Sequence, residues 1–416
     1  MRQILSLIIL TLLACNQQEK SPDSTPGNAS VDSIALNTLI EKAKETNSSA
    51  LTIYVNDELI LNQSYDKEYK PLNAASATKS FVSLGIGLLI TQGKLLSIDE
   101  PVYKFYPEWN QGLKKQITIR HLLNHTSGIK ALRRSTEVYA SPDYVQFALQ
   151  AEIAYKPGSY YFYNNTAVNL LAGIIQKASG QRMDHYIKQY IFDPLGIKDV
   201  YWITDAYTFH GGKDTSYFQK GNPIGMSELI IKADDMAKVG LLVMHRGNWK
   251  GKQIIAPDWI DECMKPSQSF DQGYGLLWWL IYDPETSYVT FDNNNIMKLR
   301  NSGISDTVIS DLLKVQGRYK NWNELYNKID SLGSIIQMGG RGKFRNMLYE
   351  KFFFDNIYTA DYSKSKIVGY EARGSGGQYI IVYPEKKIVA VRTNGRPGTD
   401  KEFFPDFYIL AYNIVK

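Results

Sequence analysis

A serine and a lysine three residues apart form a compact nucleophile–base pair, and this sequence contains four: Ser64/Lys67, Ser76/Lys79, Ser127/Lys130 and Ser363/Lys366. Context separates them. Ser76 stands among Ala74, Ala75 and Ala77, directly ahead of Phe81, Val82, Leu84, Ile86, Leu88 and Leu89, a pattern that predicts a buried helix over about Thr78–Gln92 closed by Gly93. At the start of such a helix positions i and i+3 share a face, so Lys79 comes beside Ser76 at the buried end. Burial disfavours the ammonium form and lowers the lysine pKa. A neutral lysine can take the serine proton, and the serine N–H at a helix N-terminus points toward a developing oxyanion. The bare tetrapeptide, without this context, is better read as a serine cap followed by a surface lysine.

A second polar signal, Tyr-x-Asn, occurs at Tyr54/Asn56, Tyr163/Asn165 and Tyr319/Asn321. Only Tyr163-Asn164-Asn165 follows a Pro157-Gly158 turn and runs straight into a helical pattern, Ala167–Ala178. A phenol there could relay a proton to a leaving group, and the Asn165 amide could bond the lysine and a substrate carbonyl. Other chemistries fit less well. The chain lacks the Gly-x-Ser-x-Gly elbow of a Ser-His-Asp hydrolase. His121 and His125 stand four apart as zinc ligands on a helix would, but Leu122 takes the place of the zincin glutamate and no third ligand is apparent, so both are read as structural. Met338–Lys343 is glycine-rich and basic without P-loop spacing. No metal and no cofactor is expected.

The elements that must position these groups follow from periodicity. A helix is predicted over Val31–Glu45, then strands Ala50–Val55 and Glu58–Asn62 about an Asn56-Asp57 turn. Residues 94–260 read mostly as helices, among them Thr118–Leu123, Pro142–Leu149, Ala167–Ser179, Met183–Ile191 and Ala233–His245. Strand character returns in Tyr274–Tyr282, Gln378–Tyr383 and Ile388–Thr393, and a helix over about Pro405–Val415 closes the chain. Strands and a helix at both ends around a helical middle imply an α+β fold: a sheet assembled from both termini, with a mostly helical subdomain inserted.

Ala75-Ser76-Ala77-Thr78-Lys79-Ser80-Phe81 resembles the first motif of the serine β-lactamase-like family, which includes class C β-lactamases, DD-peptidases, esterases and nylon-oligomer amidases. The same family is resembled by Ile117–Gly128 (ITIRHLLNHTSG), by Tyr163-Asn164-Asn165 leading into Asn169–Ile175, by Asp193–Ile197, by Ala233–Leu242 and by Gly374–Tyr379. The likeness spans residues 32–281 and 368–416. It implies a β-lactamase/transpeptidase-like fold with an antiparallel sheet flanked by helices, Ser76 as nucleophile, Lys79 as base and Tyr163 as proton shuttle, with Asn165 orienting. The family's third motif, Lys-Thr-Gly in β-lactamases, is replaced by Ala372-Arg373-Gly374. By resemblance the Ser375 N–H would be the second oxyanion donor beside that of Ser76, and Arg373 would stand in for the lost cation if it points inward. The altered motif, with Arg392 on the following strand, is most similar to the aminohexanoate-oligomer amidase and carboxylesterase branch. An amidase or esterase is therefore expected, with a β-lactamase or DD-peptidase on peptidoglycan-like substrates as the runner-up. A non-catalytic envelope lipoprotein that binds glycan is the third reading, opposed by the intact Ser76, Lys79 and Tyr163.

Composition bounds the partners. With 47 basic and 42 acidic residues the net charge is +5, and no Lys/Arg block exceeds three residues, so nucleic acid is not expected as a partner. A small-molecule or peptide-like substrate is. The start, Arg2 and an apolar run Ile4–Leu13 ending in Leu12-Leu13-Ala14-Cys15, is too short to span a bilayer and suits a signal peptide. It resembles a bacterial lipobox, which implies a lipoprotein signal segment over residues 1–15 cleaved just ahead of Cys15, with Cys15 as the lipidated first residue of the mature protein, and a membrane-anchored lipoprotein of the bacterial cell envelope. A plain secretory signal containing a cysteine is the alternative. Residues 16–31 form a polar tether and 32–416 the hydrolase domain. Cys263, left without a disulfide partner, reads as a buried thiol. Residues 282–367 depart from the family pattern, with a helical piece Trp322–Ile336 and an aromatic run Phe352, Phe353, Phe354, Tyr358 and Tyr362. Because they join two strands that flank the site, a lid is expected, with a surface decoration as the alternative.

Overall fold

Helix α1 (Ser33–Glu45) starts where the Asp32 carboxylate accepts the N–H groups of Ile34 and Ala35. The chain then enters strands β1 (Ala50–Val55) and β2 (Glu58–Ser64). Between them Asn56 and Asp57 both take positive φ, 51° and 66°, as a tight hairpin turn matched to strand twist requires. The computed structural model describes residues 30–416 except 131, 133–135, 205–220, 341–342, 345–346, 348–360, 364, 396–403 and 405. The expected leader, Cys15, most of the tether and Phe352, Phe353, Phe354 and Tyr358 therefore lie outside the described residues.

The remaining main strands are β3 (Trp279–Tyr282), β4 (Ile367–Gly374), β5 (Gln378–Tyr383) and β6 (Ile388–Thr393). They form a six-stranded antiparallel sheet in the order β2-β1-β6-β5-β4-β3. The two chain ends meet at its centre, where Thr52 of β1 pairs with Val391 of β6. Strands β5 and β6 are buried on both faces, so their hydrophobic runs are continuous rather than alternating. On one face α1 and the terminal helix α5 (Phe407–Tyr412) cover Leu51, Ile53, Ile381 and Ala390. On the other face, α2 (Thr78–Thr91) and α4 (Ala233–Met244) pack with Ala372, Ile380, Val389 and Val391.

Helix α2 is buried from Thr78 to Leu89, which explains why it is apolar all round. Helix α3 (Asn165–Ser179) packs against it. Gly87 lets the Trp259 ring lie on α2; a Cβ there would sit 2.2 Å from a ring carbon. Burial of Phe81 alone contributes about 1.5–3 kcal/mol. Cys263 is buried as well, within reach of Ser83 Oγ at 3.4 Å.

The structure departs from the periodicity reading in three places. The strand expected over Tyr274–Tyr282 is limited to β3, because Leu277 turns the chain with φ 60°. The expected helix Trp322–Ile336 breaks into Trp322–Asp330 and Gly333–Gln337. The closing helix is shorter than expected.

The described part of the insertion forms its own layer. Strands Tyr288–Phe291, Gly317–Tyr319 and Asp361–Ser363 make a three-stranded sheet. Val289, Phe291, Leu299, Ile309, Leu325 and Ile335 form a core separate from that of the main sheet. The insertion leaves β3 at Tyr282 and returns at Ile367, opposite the strand ends that carry Trp279 and Gly374. Its Asn321 lines a groove with α1 and α5, on the sheet face opposite α2. Among the described residues no helix is long and apolar enough to cross a membrane.

Candidate active site

Ser76 sits in a single 3-10 turn, Ala75–Ala77, that leads directly into α2. Lys79 follows one turn later and is 1% exposed. Its Nζ lies 3.1 Å from Ser76 Oγ and donates to the Met226 carbonyl at 2.7 Å. Burial pulls its pKa from 10.5 down to about 7. A neutral amine has two N–H bonds and one lone pair. With one N–H committed to Met226, the lone pair can accept the Ser76 proton. The Met226 carbonyl is itself aimed: Asn169 Oδ1 accepts the N–H groups of Gly225 at 2.9 Å and Met226 at 3.3 Å.

Tyr163 is the next group. The Lys79 Nζ stands 5.0 Å from its ring centroid. The ring is held between His125, with centroids 4.5 Å apart, and Trp279, stacked at 6.0 Å. His125 accepts the Asn164 N–H at Nδ1 (3.2 Å), so its proton sits on Nε2, which donates to the Tyr274 hydroxyl at 3.1 Å. Burial, with the Lys79 charge second, holds the His125 pKa well below the ordinary range and keeps this tautomer neutral. His121 instead caps the short helix Ile119–Leu123, accepting the Thr118 N–H at 3.1 Å. Asn164 is the N-cap of α3 and Asn165 its half-buried first residue.

The end of β4 closes the site. Gly374 abuts the residues ahead of Ser76: a Cβ there would lie 2.3 Å from the Ala74 carbonyl oxygen and 3.2 Å from Ala75 Cβ. The site therefore needs glycine at this position for close approach. Ser375 follows, exposed, in the turn toward β5. That turn is held by Arg392, fully buried, whose Nη1 donates to the Gly377 carbonyl at 2.8 Å.

Arg373 does not join this group. Successive strand side chains alternate faces. Ala372 and Gly374 face α2 and Ser76, whereas Arg373 pairs in register with Tyr379, whose ring stacks on Phe407 of α5. Both carboxylate oxygens of buried Glu371 accept from Arg373, at 3.0 and 2.5 Å. Among the described residues it approaches the site at the Trp279 ring, 5.2 Å away. The expectation that Arg373 replaces the lost cation beside the nucleophile is corrected by strand parity and by this ion pair.

The competing motifs go elsewhere. Lys130 and Lys366 are in exposed ion pairs with Glu152 and Glu385, and Lys67 is exposed. Asn321 caps the helix Trp322–Asp330, and Tyr319 donates to the Val315 carbonyl.

Sequence reasoning missed the Met226 carbonyl, Asn169, Tyr274, Trp279 and Glu228. A backbone carbonyl leaves no side-chain signal. Glu228 is 2% exposed, and its Oε2 accepts from Asn73 Nδ2 at 2.7 Å. Glu228 and Ala75 both hold left-handed backbone, φ 72° and 48°. Such a conformation costs a non-glycine residue roughly 1–2 kcal/mol.

The family description Beta-lactamase matches residues 36–413. A penicillin-binding protein of Bacillus subtilis (strain 168) is 36% identical over 136 residues, 30% of this chain and 29% of that protein. Esterase EstB of Burkholderia gladioli is 29% identical over 164 residues, 33% of this chain and 41% of the esterase. The chain thus matches less than half the length of either relative. A solved penicillin-binding protein homologue from Caulobacter crescentus superposes with a TM-score of 0.57 at 13% identity, covering 93% of this chain and 99% of that one.

Proposed function

The chain belongs to the beta-lactamase family, and we propose that it is a serine hydrolase that opens an amide or ester bond through an acyl-enzyme on Ser76. The observation that carries this reading is the buried Lys79 amine, 3.1 Å from Ser76 Oγ, with its pKa lowered to about 7. Ser76 Oγ bonds to the acyl carbon as its proton passes to Lys79. Tyr163 relays a proton to the leaving group as its bond to that carbon breaks, and Asn165 orients the carbonyl. The N–H groups of Ser76 and Ser375 hold the oxyanion. Water then releases the acid and restores Ser76.

An amide or ester is preferred over a β-lactam or peptidoglycan stem because β4 offers Ala372 and Gly374 to the site where the β-lactamase motif has Lys-Thr-Gly. Arg373 is turned away and neutralised by Glu371. A fluorophosphonate probe with peptide mass spectrometry should label Ser76, and Ser76→Ala should take up none. Persistent labelling of the variant would sink the assignment. A folded parent with neither labelling nor turnover would favour the glycan-binding reading. Nitrocefin turnover as fast as that of the best p-nitrophenyl ester would reverse the substrate ranking.

The Leu12-Leu13-Ala14-Cys15 sequence supports a second proposal, a lipid anchor in the bacterial envelope with residues 16–31 as tether. Expression in a bacterial host with labelled palmitate should yield a labelled, membrane-bound product. Cys15→Ser should release it unlabelled; an unlabelled parent would rule the anchor out.

A further inference from the structure

The turn that presents Ser76 is gripped by one segment, residues 225–229, from across the fold. The Met226 carbonyl takes Lys79 Nζ. The Leu229 carbonyl accepts the Ala74 N–H at 2.8 Å, and the Leu229 N–H donates to Thr78 Oγ1 at 3.2 Å. Between them stands Glu228, which none of the steps above uses. Its carboxylate accepts from Asn73 Nδ2 at 2.7 Å, and Asn73 Oδ1 accepts the Ala75 N–H at 2.8 Å. A carboxylate can only accept, so it dictates which end of the Asn73 amide faces it and leaves the carbonyl end for Ala75.

We infer that Glu228 is a positioning residue for the nucleophile: through Asn73 it fixes the left-handed Ala75 and so the direction of the peptide that carries the Ser76 N–H. Two observations converge on this. The hydrogen-bond relay Glu228–Asn73–Ala75 ends one residue before Ser76. The position also has φ 72°, a conformation that glycine takes without strain, yet it holds a buried glutamate. Tyr139 fastens the same segment from the other side, bonding the Ser227 hydroxyl at 3.0 Å and reaching Glu228 as well. A glutamate that served only local packing would be replaced by glycine with a gain in backbone ease and no effect on Ser76.

The inference rests on Ser76 being the nucleophile, and the test separates the two. Second-order labelling by a fluorophosphonate, ester kcat and KM, and melting temperature are measured for the parent, Glu228→Gly, Glu228→Gln and Asn73→Ala. Glu228→Gly is expected to melt within a few degrees of the parent. Its labelling rate and kcat should fall about 10- to 100-fold, with KM changed less than about threefold, as for a small misplacement of a reacting group. Glu228→Gln, whose amide oxygen can still accept from Asn73, should recover most of the rate. Asn73→Ala should lose as much as Glu228→Gly, and the double variant no more than either, because the two act in one relay. A folded Glu228→Gly that labels at the parental rate overturns the inference, as do losses that multiply in the double variant. If Glu228→Gly does not fold, parental labelling by Asn73→Ala overturns it instead. A parent that is not labelled at Ser76 refutes the proposed function itself.

Discussion

Lys79→Met is expected to lower ester turnover by at least about a thousandfold, the upper part of the range for a general base that acts with its nucleophile as one unit, while raising the melting temperature at neutral pH. The two effects have one cause. Lys79 is buried within an apolar helix, and burial lowers its pKa from 10.5 to about 7. Between those values the unfolded chain holds a proton that the folded chain does not. Stability of the parent therefore rises with pH through this window, and below about 7 the full penalty of a buried ammonium applies. Methionine removes that penalty, on the order of 5 kcal/mol at its greatest, less whatever the lost bond to the Met226 carbonyl contributes. The stability gain of the variant should be largest at about pH 6 and below, shrink as the pH rises above 7 and vanish as it passes 10.5, as thermal melts across pH would record. Activity of the parent runs with the neutral amine: it should fall about tenfold per unit below pH 7 and level off above it. A rate profile flat from pH 5 to 9, or a Lys79→Met variant with parental turnover, would remove Lys79 from the role of base.

Tyr163→Phe is expected to discriminate between leaving groups. The ring would stay between His125 and Trp279, so the variant should fold as the parent does. Only the hydroxyl is lost. A nitrophenolate leaves without a proton, whereas an amine or alkoxide needs one. The kcat on an anilide or alkyl ester should therefore fall about 100- to 1000-fold, and that on the p-nitrophenyl ester of the same acid about tenfold or less. Paired steady-state assays on the two substrates measure the difference. Equal losses on both would show that Tyr163 only shapes the cleft.

How much of this site could be read in the chain depends on distance along it. Ser76 and Lys79 were legible because one helical turn relates them, and the apolar run after them says that the turn is buried. Tyr163 was legible because its loop enters a helix with a strong pattern. The hairpin β1–β2 and strands β5 and β6 were legible from short runs and their turns. Arg373 shows the opposite case. Its position in the third motif was readable, but whether it faces Ser76 or α5 depends on the pleat, and a shift of one residue exchanges the faces. The insertion was recognisable as a departure from the family pattern, while its separate core and the groove that Asn321 lines with α1 and α5 depend on pairings among distant segments.

The sequence by itself determined the pairing of Ser76 with Lys79, because their proximity is a property of local helix geometry and the burial of Lys79 follows from local composition. It also determined the fold class, because strands at both ends and helices between them restrict how a sheet can close. Only the tertiary structure decided what tunes the pair. The Met226 carbonyl that orients Lys79 lies 147 positions away, and the Glu228 carboxylate lies 155 positions from Asn73. Those partners meet through strand register and two left-handed residues. These are outcomes of packing the whole chain, and no local pattern of residue types encodes them. The Ser-x-x-Lys spacing places a hydroxyl beside an amine, and the fold supplies the desolvation and the hydrogen bond on which the proposed chemistry rests.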